Sequence, residues 1–496
     1  MKDRTNNGIG TEGKTSEWEL QPWLSIEKSI RKLRRRIFRA SREQKWNVVR
    51  SLMKLMLRSY FNLLESVRRV TQKNKGRKTA GVDGEVALNS KARMTLVRSM
   101  GKYTLWKVKP ARRVYIPKAG KPAQNRPLGI PTTRNRVAQA MVKNALEPCW
   151  EAQFESNSYG FRPGRSAHDA IQHCWISLKG NCKRPWILDA DIKGAFENIS
   201  HNHILNAIGP IPGRELIKQW LKAGYVEAEI FHATERGTPQ GGIVSPLLLN
   251  VALNGLQQQL GSVYSYIRYA DDLIVCASTQ EQIEAAKSIV EEWLQQRGLT
   301  LHPEKTRIVH INDGFNFLSF LVKRYGGKCL IKPQKEKVLV FLAKLRWWLN
   351  KHKQATAENV IRHLNPILRG WANYYKTMVS NQVFSYVSKQ VWKMLWKWCL
   401  RRHPEKGKRW VATKYFIPHE NARWRFQAKS GDKIVYLFDV GYVKIERHIK
   451  VKGTASPDDP TLQNYWKKRQ EKRKERLKLN EVTKARSWAG SEARAV

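Results

Sequence analysis

The spacing of apolar positions along this chain switches between helical and strand-like several times. From Trp23 to Val70 it is helical and the intervening residues are strongly basic. Ile26, Ile30 and Leu33 fall on one face, and Leu52, Leu55, Met56 and Leu63 form a second stripe. Lys73 to Gly84 (KNKGRKTAGVDG) is a Gly-rich basic connector. Residues 103–132 mix short strands with proline turns. Asn157 to Ala170 is a turn leading into a helix, with Ser166 as its cap. Trp186–Ile192 is an apolar run of strand length, and Val263–Tyr269 and Leu273–Ala277 predict two strands that meet at a tight turn.

Helical spacing returns between Ser278 and Gly298. Ile283, Ala286, Val290, Trp293 and Leu294 make its apolar face. Ser278 and Glu281 are expected to form a capping box, and Gly298 to stop the helix. Beyond Pro333 two more helical faces follow: Val338, Phe341, Leu342, Leu345, Trp348 and Leu349, then Trp392, Leu395, Trp396 and Cys399. Lys433–Phe438 and Tyr442–Ile445 are strand-like. The basic tail from Trp466 to Arg486 is compatible with a helix or with no fixed structure. Strands followed by segregated helices predict an α+β body, and a chain of 496 residues has room for several domains.

Charge sharpens this picture. Lys and Arg number 91 and Asp and Glu 41, so the formal balance is 91 − 41 = +50. Such an excess favours a polyanionic partner, because each neutralised nucleic-acid phosphate releases counterions. Charge alone also allows a ribosome-like scaffold or a solubilising surface. The 19 Trp residues argue against a solvated tail, since aromatics need packing or stacking partners. The six cysteines include no Cys-x-x-Cys pair, so neither a zinc site nor a disulfide framework is expected, and a reducing, cytoplasmic compartment is. Met1 to Lys14 is polar, unlike a signal peptide, and no run approaches about 18 apolar residues, so no membrane span is expected.

Three carboxylates carry candidate chemistry. Asp191 ends the apolar strand, and Asp271 and Asp272 sit between two others. Buried anions must be paired or bind metal, because desolvation costs several kcal/mol. Adjacent aspartates are also ordinary turn residues, but the flanking apolar runs put this turn at the edge of a buried sheet. Asp191 and one of the pair could hold two Mg²⁺ ions roughly 4 Å apart. Phosphoryl transfer at such a site needs positioning and electrostatics, not a serine or cysteine nucleophile. Asp189, on the same strand face, is assigned a supporting or structural role.

Nine stretches in order resemble the group II intron reverse transcriptase–maturases. They are TAGVDG (Thr79–Gly84), RPLGIP (Arg126–Pro131), SYGFRPGRSAHDAI (Ser158–Ile171), DADIKGAFENISH (Asp189–His201), TPQGGIVSPLLLN (Thr238–Asn250), YADD (Tyr269–Asp272), LHPEKT (Leu301–Thr306), FNFLSF (Phe315–Phe320) and LNPILRGWANYY (Leu364–Tyr375). The resemblance implies a right-hand polymerase that copies RNA into DNA and a maturase that assists splicing of its intron. It implies metal binding by Asp191, Asp271 and Asp272, with the Ile192 carbonyl as a further ligand. Lys118 and Arg126 would grip the triphosphate, where Arg's planar fork suits bidentate contacts. Phe196 would exclude a 2′-hydroxyl, Gln240 would line the nucleotide site with Pro239 and Gly241 allowing close backbone approach, and Lys305 would donate a proton to pyrophosphate.

Ala195, Glu197 and Ser319 depart from the family pattern, which commonly has cysteine, aspartate and glycine there. The implied domains are a flexible leader (1–29), an N-terminal extension and fingers (30–185), a palm with antiparallel sheet (186–325), a helical thumb or maturase domain (326–415) and a basic DNA-binding region (416–496). Val451–Pro460 and Tyr465–Trp466 resemble the DNA-binding segment. No cysteine follows Cys399, so the nuclease module that many relatives carry after it is expected to be missing. The implied partners are intron RNA, target DNA, deoxynucleoside triphosphates and other chains of a ribonucleoprotein, without a membrane. Arg31–Arg39 and the stripe from Trp347 to Lys353 are expected to track RNA phosphates. A pure splicing factor, a reverse transcriptase recruited to another host task and a nuclease are the alternatives. The last is disfavoured by the lack of a His/Cys cluster.

Overall fold

The computed structural model describes residues 16–101, 107–118, 121–419, 422–472 and 475. The basic N-terminal stretch forms three helices, Trp23–Arg42, Trp46–Arg58 and Tyr60–Arg68. Their apolar stripes close on the helix Thr133–Glu151, which is buried over nearly its whole length. The expectation of a flexible leader to residue 29 fails for its described part. Trp18 and Ile26 are fully buried, and the Trp18 and Trp23 rings lie 4.8 Å apart. Residues 1–15 lie outside the described residues.

Within the basic run Arg31–Arg39, Arg31, Lys32, Arg36 and Arg39 are exposed, but Arg34 is not free. Arg34 donates to Glu147 at 2.9 Å and to Asp458 at 2.6 Å. Arg42 donates to Asp459 at 2.8 Å. Asp458 and Asp459 are buried, so part of the segment expected to meet DNA is instead clipped to the N-terminal helix.

Four antiparallel strands make the central sheet, in the order Ser265–Tyr269, Asp272–Ala277, Trp186–Asp191, Arg307–His310. Side chains alternate between the faces of a strand. Leu188, Ala190, Leu273 and Val275 point to the core shared with the N-terminal helices, and Ile187, Ile274 and Cys276 to the core that continues into the C-terminal helices. Burial on both faces explains why these strands read as continuous apolar runs. The helix Gln280–Gln295 covers the first face. Its cap is Thr279, not Ser278: the Thr279 hydroxyl accepts from the Gln282 N–H at 3.3 Å, and Gln282 accepts from the Ser278 N–H at 3.1 Å. Both adjacent hydroxyls suit a cap, and Thr279 also stands three residues before a glutamine.

A second sheet, Lys121–Ile130, Ala111–Lys118, Tyr225–Glu227 and Ile230–His232, lies to the N-terminal side of the site. A three-stranded sheet, Phe315–Phe317, Phe320–Tyr325 and Lys328–Pro333, leads into the helices Lys335–Lys351, Ala357–Tyr375, Asn381–Arg402 and Lys408–Tyr415. A last sheet follows, Phe416–His419, Ala422–Ser430 and Lys433–Tyr436. Tyr442–Ile445 is not a strand: Val440–Tyr442 is a 3-10 turn capped by Asp439, and Val443 and Ile445 pack on the helical core.

The turn at Leu318–Ser319 has φ of +47° and +69°. Side chains other than glycine pay about 1–2 kcal/mol there. The Tyr374 hydroxyl donates to the Leu318 carbonyl at 2.8 Å and braces the turn. Ser319→Gly should therefore leave stability unchanged or raise it by about 1 kcal/mol at most, read as an unchanged or slightly higher melting temperature.

Candidate active site

Asp191 and Asp272 are directly opposed in the antiparallel register, so their side chains share one face at the sheet's end. Asp271 is the last residue of the intervening two-residue turn, and its carbonyl accepts from the Ile192 N–H at 3.1 Å. Segment 301–306 crosses beside them. The His302 N–H donates to the Asp191 carbonyl at 2.8 Å, and Lys305 Nζ donates to the Asp191 carboxylate.

Burial, with crowding of like charges second, sets the electrostatics of these groups. Burial, then the neighbouring Asp271 and Asp191 carboxylates, push Asp272 well above the ordinary carboxylate range. Burial also raises Asp271, opposed by its own backbone hydrogen bond and by the Arg126 and Lys305 charges, while Asp191 adds to the rise. Asp189 is lifted to about 6 by burial, against the pull of Arg307 at 3.2 Å, consistent with a structural pair beside the site.

Among the described residues, no three His, Cys, Asp or Glu side chains converge on one point as metal ligands would. What converges is Asp191 with Asp272 and the Lys305 ammonium. Clustered hard carboxylate oxygens with an ammonium already on one of them suit a divalent cation.

The turn itself is held in an uncommon conformation. Ala270 has φ of +59° and is buried. Gly160 lies against it, and a Cβ there would fall 2.4 Å from the Ala270 nitrogen. Arg268, buried within the strand, donates to the Ala270 carbonyl at 3.2 Å and to Asn250 at 3.0 Å, and Asn250 donates to the Gly160 carbonyl at 2.8 Å. Sequence reasoning assigned no role to Gly160, Asn250 or Arg268. The signal was available in the lone arginine interrupting an apolar strand. Gly160→Ala must displace the aspartate turn. It should cut the rate of nucleotide transfer by about 10²-fold, as misplacements near 1 Å do, read as single-turnover extension by the purified variant.

A second group of expected site residues forms the wall beside this turn. Gly194, at φ +54°, starts the short helix Ala195–Asn198, which presents Phe196. The Phe196 ring meets Phe161 edge-on at 6.1 Å, another contact the sequence did not reveal. The Thr238 N–H donates to the Phe196 carbonyl at 2.7 Å. Gln240 donates to Glu197 at 3.3 Å, and its carbonyl accepts from the Gly129 N–H at 2.6 Å. A Cβ on Gly241 would meet the Gly129 oxygen at 2.5 Å, so glycine lets this loop press on the strand that carries Arg126. The side chain of Lys118 lies outside the described residues.

Three family profiles match in sequence order. The N-terminal domain of reverse transcriptase covers residues 18–100, reverse transcriptase (RNA-dependent DNA polymerase) covers 116–322, and the group II intron maturase-specific domain covers 338–416. The chain belongs to the group II intron reverse transcriptase–maturase family. Protein YkfC of Escherichia coli K12 is 33% identical over 57% of this chain and 87% of its own length. The group II intron-encoded protein LtrA of Lactococcus lactis subsp. cremoris is 28% identical, over 61% of this chain and 66% of LtrA. This reverse transcriptase–maturase is thus an RNA-directed DNA polymerase with a maturase domain, built on the α+β fold with a helical C-terminal region. Among its described residues no helix is long and apolar enough to cross a membrane.

Proposed function

We propose that the protein copies intron RNA into DNA at Asp191, Asp271 and Asp272 with two Mg²⁺ ions, and holds that RNA for splicing and reverse splicing during retrohoming. The observation that carries this reading is the opposed pair Asp191–Asp272, in which burial and then the neighbouring carboxylates raise the Asp272 pKa and the Lys305 ammonium touches Asp191. The three carboxylates and the Ile192 carbonyl would hold the ions. When bound, the ions lower the pKa of a primer 3′-hydroxyl and neutralise charge on the leaving pyrophosphate.

The chain's own groups supply position and selectivity. Arg126, whose charge opposes the burial-driven rise of Asp271, grips the triphosphate with its planar fork, aided by Lys118. Lys305 can release a proton to departing pyrophosphate. The Phe196 ring, buttressed by Phe161, fills the space a 2′-hydroxyl would need, and Gln240 lines the same wall. Intron RNA, target DNA, deoxynucleoside triphosphates and other protein chains of a ribonucleoprotein are the partners, in the cytoplasm at the nucleoid.

The test uses the purified full chain with an RNA template and DNA primer. Deoxynucleotide incorporation should require both Mg²⁺ and template, and EDTA should abolish it. In parallel, RNA transcribed from the coding region and its flanks should splice faster with the protein present. Acceleration of splicing without any incorporation would leave a splicing factor and refute the polymerase reading.

A further inference from the structure

We propose that the cleft between the helices Ala357–Tyr375 and Asn381–Arg402 and the last β-sheet is a binding site for one unpaired nucleotide of bound RNA. This rests on the reading above that the maturase region holds RNA. The cleft encloses about 650 Å³, within the roughly 300–1,000 Å³ typical of small-ligand sites. Its chemistry is one-sided. Arg402, Lys414 and Lys429 line it, and among the described residues none has a carboxylate within 4.0 Å. The acid in its wall, Glu358, is already held by Arg362 at 2.6 Å and by the Ser430 hydroxyl at 2.7 Å.

Three lysine or arginine heads without acidic partners around a concave wall suit a phosphodiester. Two of these charges act on His403. Burial first, then the Lys414, Arg402 and Lys406 charges, hold it below its ordinary value.

The inner wall adds recognition of a base. The side-chain oxygen of Gln427 is buried and has no hydrogen-bond donor. Leaving such an acceptor unpaired costs about 1–3 kcal/mol. Its oxygen is closed off in this conformation, so the exocyclic amine or ring N–H of a nucleobase supplies the missing donor once the Gln427 side chain turns toward the cleft. Beside it, His403 Nε2 and the Tyr415 hydroxyl are 2.8 Å apart and form a polar floor. An acidic peptide would also satisfy the cations; the maturase reading above favours RNA. Double-stranded RNA cannot enter a cleft of this size, whereas a base splayed from a loop or bulge can.

The test is photo-cross-linking of the full chain to hexa-adenylate RNA carrying one 8-azidoadenosine, with a template–primer duplex present to fill the polymerase cleft. Cross-links should map to peptides spanning residues 402–434. Gln427→Leu should lower their yield about 5-fold, and the exposed double change Lys414→Glu with Lys429→Glu about 10-fold. Primer extension should stay at the wild-type rate in both. Wild-type cross-links confined to other peptides, or yields that neither variant changes, would overturn the site. AMP should compete only at millimolar concentration, because it lacks the flanking phosphodiesters. Displacement by micromolar AMP would make this a free-nucleotide site and overturn the RNA assignment. Splicing measured on the same preparations separates the two readings: the maturase reading falls if wild-type protein gives no acceleration, and the cleft falls on the cross-link map alone.

Discussion

Asp271→Ala should lower DNA synthesis by about 10²–10³-fold, the scale seen when one preorganised electrostatic group is removed from a reacting centre. Intron RNA affinity should be almost untouched, because it is set by a chain with a formal charge of +50 and not by one carboxylate. Stability should move the other way. Burial raises the Asp271 pKa above its ordinary value, so the ionised group costs folding energy at neutral pH, and Asp271 in turn raises Asp272. The alanine variant should therefore melt slightly higher than wild type in EDTA while losing synthesis. Asp271→Asn, with the same shape and no charge, should behave alike on both counts. A variant that kept wild-type synthesis would remove Asp271 from the site, and one that lost RNA binding as well would point to misfolding.

How far the sequence discloses this arrangement depends on the distance over which each contact acts. The turn at Ala270–Asp271 was legible because polar residues interrupt two apolar runs, and Ser166 was legible as a cap because its partner Asp169 lies three residues on. Asp191 opposite Asp272 is a long-range register that no local pattern encodes; the apolar runs around the carboxylates suggested that Asp191 shares a site with one of the pair, and the resemblance added the full set of three. Arg34 shows the converse. Its neighbours suggested a solvated basic face, but Glu147 and Asp458, far away in sequence, turn it into a buried ionic link. Tyr442–Ile445 has strand-like composition, yet the last sheet offers it no pairing, and its apolar side chains pack on helices instead. The Thr279 cap was missed by one residue because two neighbouring hydroxyls offered the same chemistry.

Arg162→Met should destabilise the fold by about 3–5 kcal/mol, the usual result of breaking a buried ion pair from one side. The Arg162 and Glu151 side chains are 1% and 0% exposed, joined by two hydrogen bonds of 3.0 Å. Burial lifts the Glu151 carboxyl above its ordinary value, and Arg162 is the charge that most opposes the rise. Without Arg162 the folded state would bind a proton that the unfolded chain does not hold at neutral pH. Stability of the variant should therefore increase as pH falls from 7 toward 5 and decrease as it rises. Denaturant midpoints across that range measure the slope, and a flat profile would mean that Glu151 stays ionised without its partner. The loss should reach catalysis too. Arg162 also donates to the Glu155 and Ser158 carbonyls at 2.6 and 2.9 Å, fixing the loop whose next residues are Tyr159 and Gly160. The Tyr159 N–H in turn donates to the Arg268 carbonyl at 2.9 Å, two residues before the Ala270–Asp271 turn. An ion pair remote from the substrate thus sets the platform on which the aspartate turn rests. At temperatures where Arg162→Met remains folded, nucleotide transfer should still be slower than in wild type.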